Sequence, residues 1–189
     1  MARESSKTSP TKRPRLGRRE LAEWADRILE DAGEHEREFE RKGMTSRTLP
    51  RAELIDKLSG RAAHSPFLTQ IGWGAPVRGS VFVLQFGLMN PDSWPYWIAN
   101  MGLCFCYADA GGLSDPGSTL LRAEPTVGVR QVEFGYLNAA TTPYYLSADH
   151  TIPAGFRAGP ADLDYFLYAP DAFAAGVLLE RGTIRVDVT

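Results

Sequence analysis

The spacing of apolar and polar positions changes once along this chain. From Leu16 to Lys42 the apolar residues step by fours and threes: Leu21, Ala25, Ile28, Ala32, His35 and Phe39 fall on one line, and Trp24 and Leu29 widen it near its start. A period near 3.6, without internal proline and rich in Glu, Arg, Ala and Leu, predicts an amphipathic helix, with Gly43 as its stop. Two seam positions are alanine and one is histidine, so the stripe is thin. It needs a surface to dock on, either the chain's own body or another molecule. A second, shorter helix is predicted from Pro50 to Leu58: proline suits a first turn, Leu54, Ile55 and Leu58 give one apolar side, and Gly60 ends it.

Beyond Ser65 the period falls to two. Ser80 to Met89 places Phe82, Leu84, Phe86 and Leu88 on one face. Trp97 to Tyr107, Val127 to Leu137, Tyr144 to Ile152, Asp162 to Ala169 and Thr183 to Val188 alternate similarly, and shorter strands fit around Thr119 to Leu121 and Val177 to Glu180. Turn clusters divide them, among them Asn90-Pro91-Asp92, Asp115-Pro116-Gly117 and Arg181-Gly182. Short strands separated by Gly/Pro turns predict an all-β fold, an immunoglobulin-like or jelly-roll-like β-sandwich of seven or eight antiparallel strands, preceded by the two helices. Pro170 to Ala175 would make one helical turn over its edge. The expected organisation is a disordered basic arm over 1–16, a helical extension over 17–63 and the sandwich over 64–189. The passage Ala75 to Asp92 (APVRGSVFVLQFGLMNPD) resembles the first core strand of immunoglobulin-like sandwiches, in which an apolar strand ends in an Asn-Pro turn. That likeness speaks to fold and not to function.

Charge follows the same division. Residues 1–64 hold 15 of the 21 Lys+Arg and 12 of the 23 Asp+Glu, whereas Ser65 to Leu121 holds only Arg78, Asp92, Asp109 and Asp115. The first 19 residues carry +6, the stretch from Glu20 to Glu40 carries −7, and the body from Ser65 onward −5. Lys12, Arg13, Arg15, Arg18 and Arg19 form a basic cluster suited to phosphate neutralisation. Nucleic acid is therefore one expected partner of the arm, and neutralisation by the acidic helix behind it is the competing use. No aromatic residue interleaves the cluster, so base stacking is not indicated. A basic arm ahead of a short helix and a jelly-roll-like sandwich resembles the layout of small coat proteins, which would imply a virion or shell role; the acidic helix and negative body count against it.

The chain lacks the motifs of common catalytic chemistries. Its histidines, His35, His64 and His150, have no i,i+4 pairing for a metal, and no G-x-S-x-G elbow is present. Cys104 and Cys106 point to one strand face, where they cannot readily bridge each other, so a reducing, cytoplasmic compartment is expected. No cofactor and no metal site is expected; Asp109 and Asp115 offer too few oxygens for calcium. With no apolar run near membrane length, no membrane partner is expected. Asp162 and Asp164 are expected on an outward, solvated strand face, although paired carboxylates also serve glycosidases. Surface-forming aromatics are the stronger signal. Trp94, Tyr96 and Trp97 follow the Asn-Pro-Asp turn, and Tyr144 and Tyr145 follow Pro143. Aromatics in such places either pack or bind. The expectation is a non-catalytic module for protein binding or self-assembly, with Leu21, Trp24, Ile28 and Phe39 of the first helix and Trp94, Tyr96 and Trp97 as interface residues. A glycan site built from Trp94, Trp97, Asp162 and Asp164 is the alternative.

Overall fold

A computed structural model describes residues 17–59, 66–91, 97–107, 127–137, 142–169 and 177–189. Helix α1 spans Arg18–Arg41 and α2 Arg51–Ser59, each close to its predicted bounds. The strands are β1 (Thr45–Thr48), β2 (Phe67–Trp73), β3 (Val81–Met89), β4 (Trp97–Tyr107), β5 (Val127–Leu137), β6 (Tyr144–Thr151), β7 (Gly159–Ala169) and β8 (Val177–Val188). The fold is β-rich. Two antiparallel sheets run in the orders β1-β2-β3-β6 and β5-β4-β7-β8. The strand predicted around Thr119 and the helical turn at Pro170 lie outside the described residues.

Alternation explains the main core. Phe82, Leu84, Phe86 and Leu88 of β3 join Leu68 and Ile71 of β2 on one side. Ala161, Leu163, Tyr165 and Leu167 of β7 and Ile184, Val186 and Val188 of β8 meet them from the other. Burying side chains of this size contributes about 1.5–3 kcal/mol each.

A second apolar cluster accounts for the thin helical seam. Leu21, Trp24, Ala25 and Ile28 of α1 pack with Leu54 and Leu58 of α2 and with Phe67 and Met89, which project from the opposite face of the β1–β6 sheet. Bidentate contact of Arg51 with Asp26, at 2.6 and 3.1 Å, ties α2 to α1 at the surface. Farther along α1, Phe39 lies over Gly72 so closely that a Cβ there would sit 2.9 Å from its ring. The sheet is therefore covered by a second sheet on one face and by α1 over part of the other.

Three features depart from the sequence expectations. β1 lies inside the segment read as a helical extension, yet it pairs with β2, Thr45 opposite Trp73 and Thr48 opposite Gln70. β2 was not predicted, because Phe67–Trp73 has no alternation: its first six residues are all buried. The turn expected at Arg181-Gly182 is instead the interior of β8, with Gly182 opposite Tyr165. The glycine is needed because any Cβ at 182 would run into the Tyr165 ring and hydroxyl.

Replacing Gly72 by alanine forces Phe39 off its seat and is expected to destabilise the chain by about 1–3 kcal/mol. In urea denaturation the cost should shrink in the Phe39→Leu background, which has room for the methyl, giving a non-additive double-mutant cycle.

Candidate functional site

The four helix residues expected to meet a partner are closed by the chain's own fold. Leu21 and Trp24 retain 9% and 6% exposure, and Ile28 and Phe39 almost none. The seam finds its docking surface in α2 and the first sheet. Trp94 and Tyr96 lie outside the described residues; Trp97 begins β4, opposite Leu137. Lys12, Arg13 and Arg15 also lie outside them. Arg18 and Arg19 form the exposed first turn of α1, where Arg19 pairs with Glu23 at 2.8 Å.

Asp162 and Asp164 need a correction. They lie on the face of β7 turned away from the shared core, as alternation requires, but are only 7% and 5% exposed. Their neighbours across the ladder explain how carboxylates survive there. The Arg185 guanidinium clasps Asp162, with Nη2 donating to Oδ2 at 3.0 Å and Nε to Oδ1. The Thr183 hydroxyl donates to Asp164 at 2.6 Å. These pairs hold β7 to β8. Cys106 lies opposite Asp162 in the β4–β7 register. Trp97 begins that strand nine residues earlier, which is about 30 Å of strand. The register thus sets Trp97 and the aspartates toward opposite ends of the sheet.

Tyr144 and Tyr145 begin β6, in the strand the alternation predicted. Tyr144 packs on the main core. Tyr145 enters a polar network under α1 that the sequence did not reveal. Its ring stacks on His35, centroids 3.3 Å apart and planes within 5°. Its hydroxyl donates to Gln70 Oε1 at 2.9 Å, and Gln70 Nε2 donates to the Ala32 carbonyl at 3.0 Å. His35 Nδ1 lies 3.1 Å from the Asp31 carbonyl oxygen. Gln70, 2% exposed, is satisfied on both sides. Such a network fixes the helix at one register on the sheet, which a smooth apolar contact would leave free to slide.

The other concentration of polar groups lies where the sheets meet along one side. Leu68 has no strand neighbour at its amide, which donates to Glu180 Oε2 at 3.0 Å. Lys57 of α2 sits 3.3 Å from the other carboxylate oxygen. Arg47 of β1 reaches across to β8 and donates to the Thr183 carbonyl at 3.4 Å and to the Tyr165 hydroxyl at 3.2 Å. At the chain's end, Thr189 exchanges backbone hydrogen bonds with Pro76 and Arg78. Beside Arg47 and Glu180 remains a cleft of about 480 Å³. Sequence reasoning missed it because its residues come from four separate segments, none of which carries a motif. Among the described residues no cluster of three or more His, Cys, Asp or Glu is arranged to hold a metal, and no helix is long and apolar enough to cross a membrane.

Outside the helix-covered area, the first sheet shows apolar side chains to solvent. Val81 and Val83 of β3 are 55% and 40% exposed, and Val77 in the preceding turn 40%.

The Tyr145 phenol is held well above its ordinary value of 10, first by burial and then by the neighbouring Asp31 carboxylate. Burial likewise raises Tyr165. A raised folded-state value means that above pH 10 the unfolded chain loses these protons first. Stability is therefore complete below pH 10 and falls as pH rises through the folded-state values. Urea denaturation at pH 8 and at about pH 11 should show that fall, and Tyr145→Phe should reduce it by removing one titrating group.

No family model matches the chain, and no curated protein matches it. Among solved structures the C-terminal domain of Wzt is similar at 8% identity and a TM-score of 0.46, over 77% of this chain and 78% of that one.

Proposed function

We propose that the chain is a non-catalytic β-sandwich module, of the immunoglobulin-like or jelly-roll-like kind, that associates with a second copy of itself. One observation carries this reading: Val81 and Val83 are exposed side by side on one face of β3, beside the area that α1 covers, and Val77 is exposed in the segment just before them. On the solvent face of an antiparallel sheet, alternation ordinarily puts polar residues at such positions. β6 follows that rule, with Ser147, Asp149 and Thr151 exposed. β3 breaks it beside them.

A second copy fits because the rim carries both signs. Arg78 adjoins Val77 in the chain, and Asp149 lies opposite Val83. Across a two-fold axis such a patch can meet itself with opposite charges facing. In this reading α1 contributes by shaping the face. Its apolar seam is already used internally, so the docking element is the sheet surface next to it, not the seam.

Light scattering across a concentration series tests the proposal. The unaltered chain is expected to give a dimer mass. Val81→Glu with Val83→Glu is expected to give a monomer with unchanged circular dichroism and a dissociation constant raised at least about tenfold, the effect of roughly 1.4 kcal/mol. A monomer mass for the unaltered chain at every concentration would remove the proposal.

A further inference from the structure

The fold leaves the basic cluster ahead of α1 without a counter-charge, independently of any self-association. The first 19 residues carry five arginines and two lysines against Glu4. Two uses compete for them: neutralisation by the acids of α1, or contact with an external polyanion. The structure shows where the α1 acids nearest the cluster are spent. Glu20 accepts from the Gly17 amide at 2.7 Å. Glu23 pairs with Arg19 at 2.8 Å. Asp26 is held by Arg51 through Nε and Nη2. Farther along, Glu38 pairs with Lys42.

The exposed acids of α1 left over are Glu30, Glu34, Glu36 and Glu40, and they are interleaved with the exposed Arg27, Arg37 and Arg41. Glu30 comes twelve residues after Arg18, which is about 18 Å of helix, against a screening length of about 8 Å at physiological salt. A segment folding back to them would meet both signs of charge, with little net attraction to offset its ordering. Arg18 is exposed and forms no ion pair among the described residues. The Arg19–Glu23 pair is an exposed i,i+4 contact, of the weak kind that a phosphate can displace. The make-up of the cluster selects the polyanion. Arg13, Arg15, Arg18 and Arg19 outnumber Lys12, and a planar guanidinium meets phosphate oxygens at two points. No aromatic residue and no apolar run accompanies them, either to insert at a lipid interface or to stack on bases. What remains for them to recognise is a repeated phosphodiester, whatever its sequence.

We propose that Lys12, Arg13, Arg15 and Arg18 bind the phosphate backbone of nucleic acid without sequence preference, with α1, fixed to the sheet by its seam, anchoring the cluster to the body.

The test is fluorescence anisotropy of the full chain with two labelled DNA duplexes of about 20 base pairs and unrelated sequence, across a series of salt concentrations. Both duplexes are expected to bind alike, and log K to fall against log salt with a slope of about −3.6, the value for four phosphate contacts. Replacing Lys12, Arg13 and Arg15 together by alanine should weaken binding at least about tenfold at low salt and flatten the slope by about 2.7. Exchanging the two cations at those places (Lys12→Arg, Arg13→Lys and Arg15→Lys) should preserve the slope. Glu30→Gln with Glu34→Gln should leave affinity within about twofold. No binding at about 50 mM salt, a slope unmoved by the triple alanine variant, or a tenfold preference for one duplex would each overturn the proposal. So would a gain of about tenfold from the glutamine variant, which would show the helix acids holding the cluster. Equal binding to vesicles of phosphatidylserine and phosphatidylcholine would overturn it too, by making the partner a membrane. Duplex binding by a chain that stays monomeric would leave this proposal standing while removing the self-association reading.

Discussion

Burial of β2 on both faces is the constraint on which the rest of the structure depends. One face of Phe67–Trp73 meets the opposing sheet through Leu68 and Ile71, and the other meets α1 through Phe67, Gln70 and Gly72. A strand in this position has no solvent to satisfy its polar atoms. Thr69 donates to the Gly87 carbonyl, and Gln70 joins α1 to β6 through Ala32 and Tyr145. Remove the helix and this strand exposes apolar surface and orphaned polar groups together. Residues 17–59 are therefore part of the folding unit, a conclusion reinforced by the pairing of β1 with β2.

Edge management is the second theme. Among the described residues no strand pairing joins the two sheets, which leaves backbone groups open at their borders. Along the β1/β8 side these groups are taken up by charged side chains and by the chain terminus: Glu180 on the Leu68 amide, Arg47 on the Thr183 carbonyl, and Thr189 against Pro76 and Arg78. The first two of these stitches also line the cleft. Its polar character thus follows from how the seam is closed.

Much of the architecture was legible where one periodicity dominated. α1 and the strands β3, β4, β5 and β6 fall within a residue or two of their predicted bounds because each repeats an apolar position with one clear period in the sequence. β2 was illegible because burial on both sides removes alternation. The interior of β8 was misread because a glycine after a charged residue has the composition of a turn, whereas here Tyr165 lies where a side chain would be. Asp162 and Asp164 read as solvated because the sequence gives their face but not their neighbours. The cleft left no trace, since Arg47, Leu68, Tyr165 and Glu180 lie on four segments far apart in the chain.

The sequence by itself determined the local periods: one long amphipathic helix, a short helix, and a run of alternating strands poor in charge. Those follow from local backbone geometry and the hydrophobic effect, which act over a few residues. Tertiary structure alone decided which surface the helical seam would cover and which carboxylates would find partners. The physical reason is that pairing and desolvation depend on distance in space, and the packing of one sheet against the other brings together residues more than a hundred positions apart, as it does Arg47 and Tyr165.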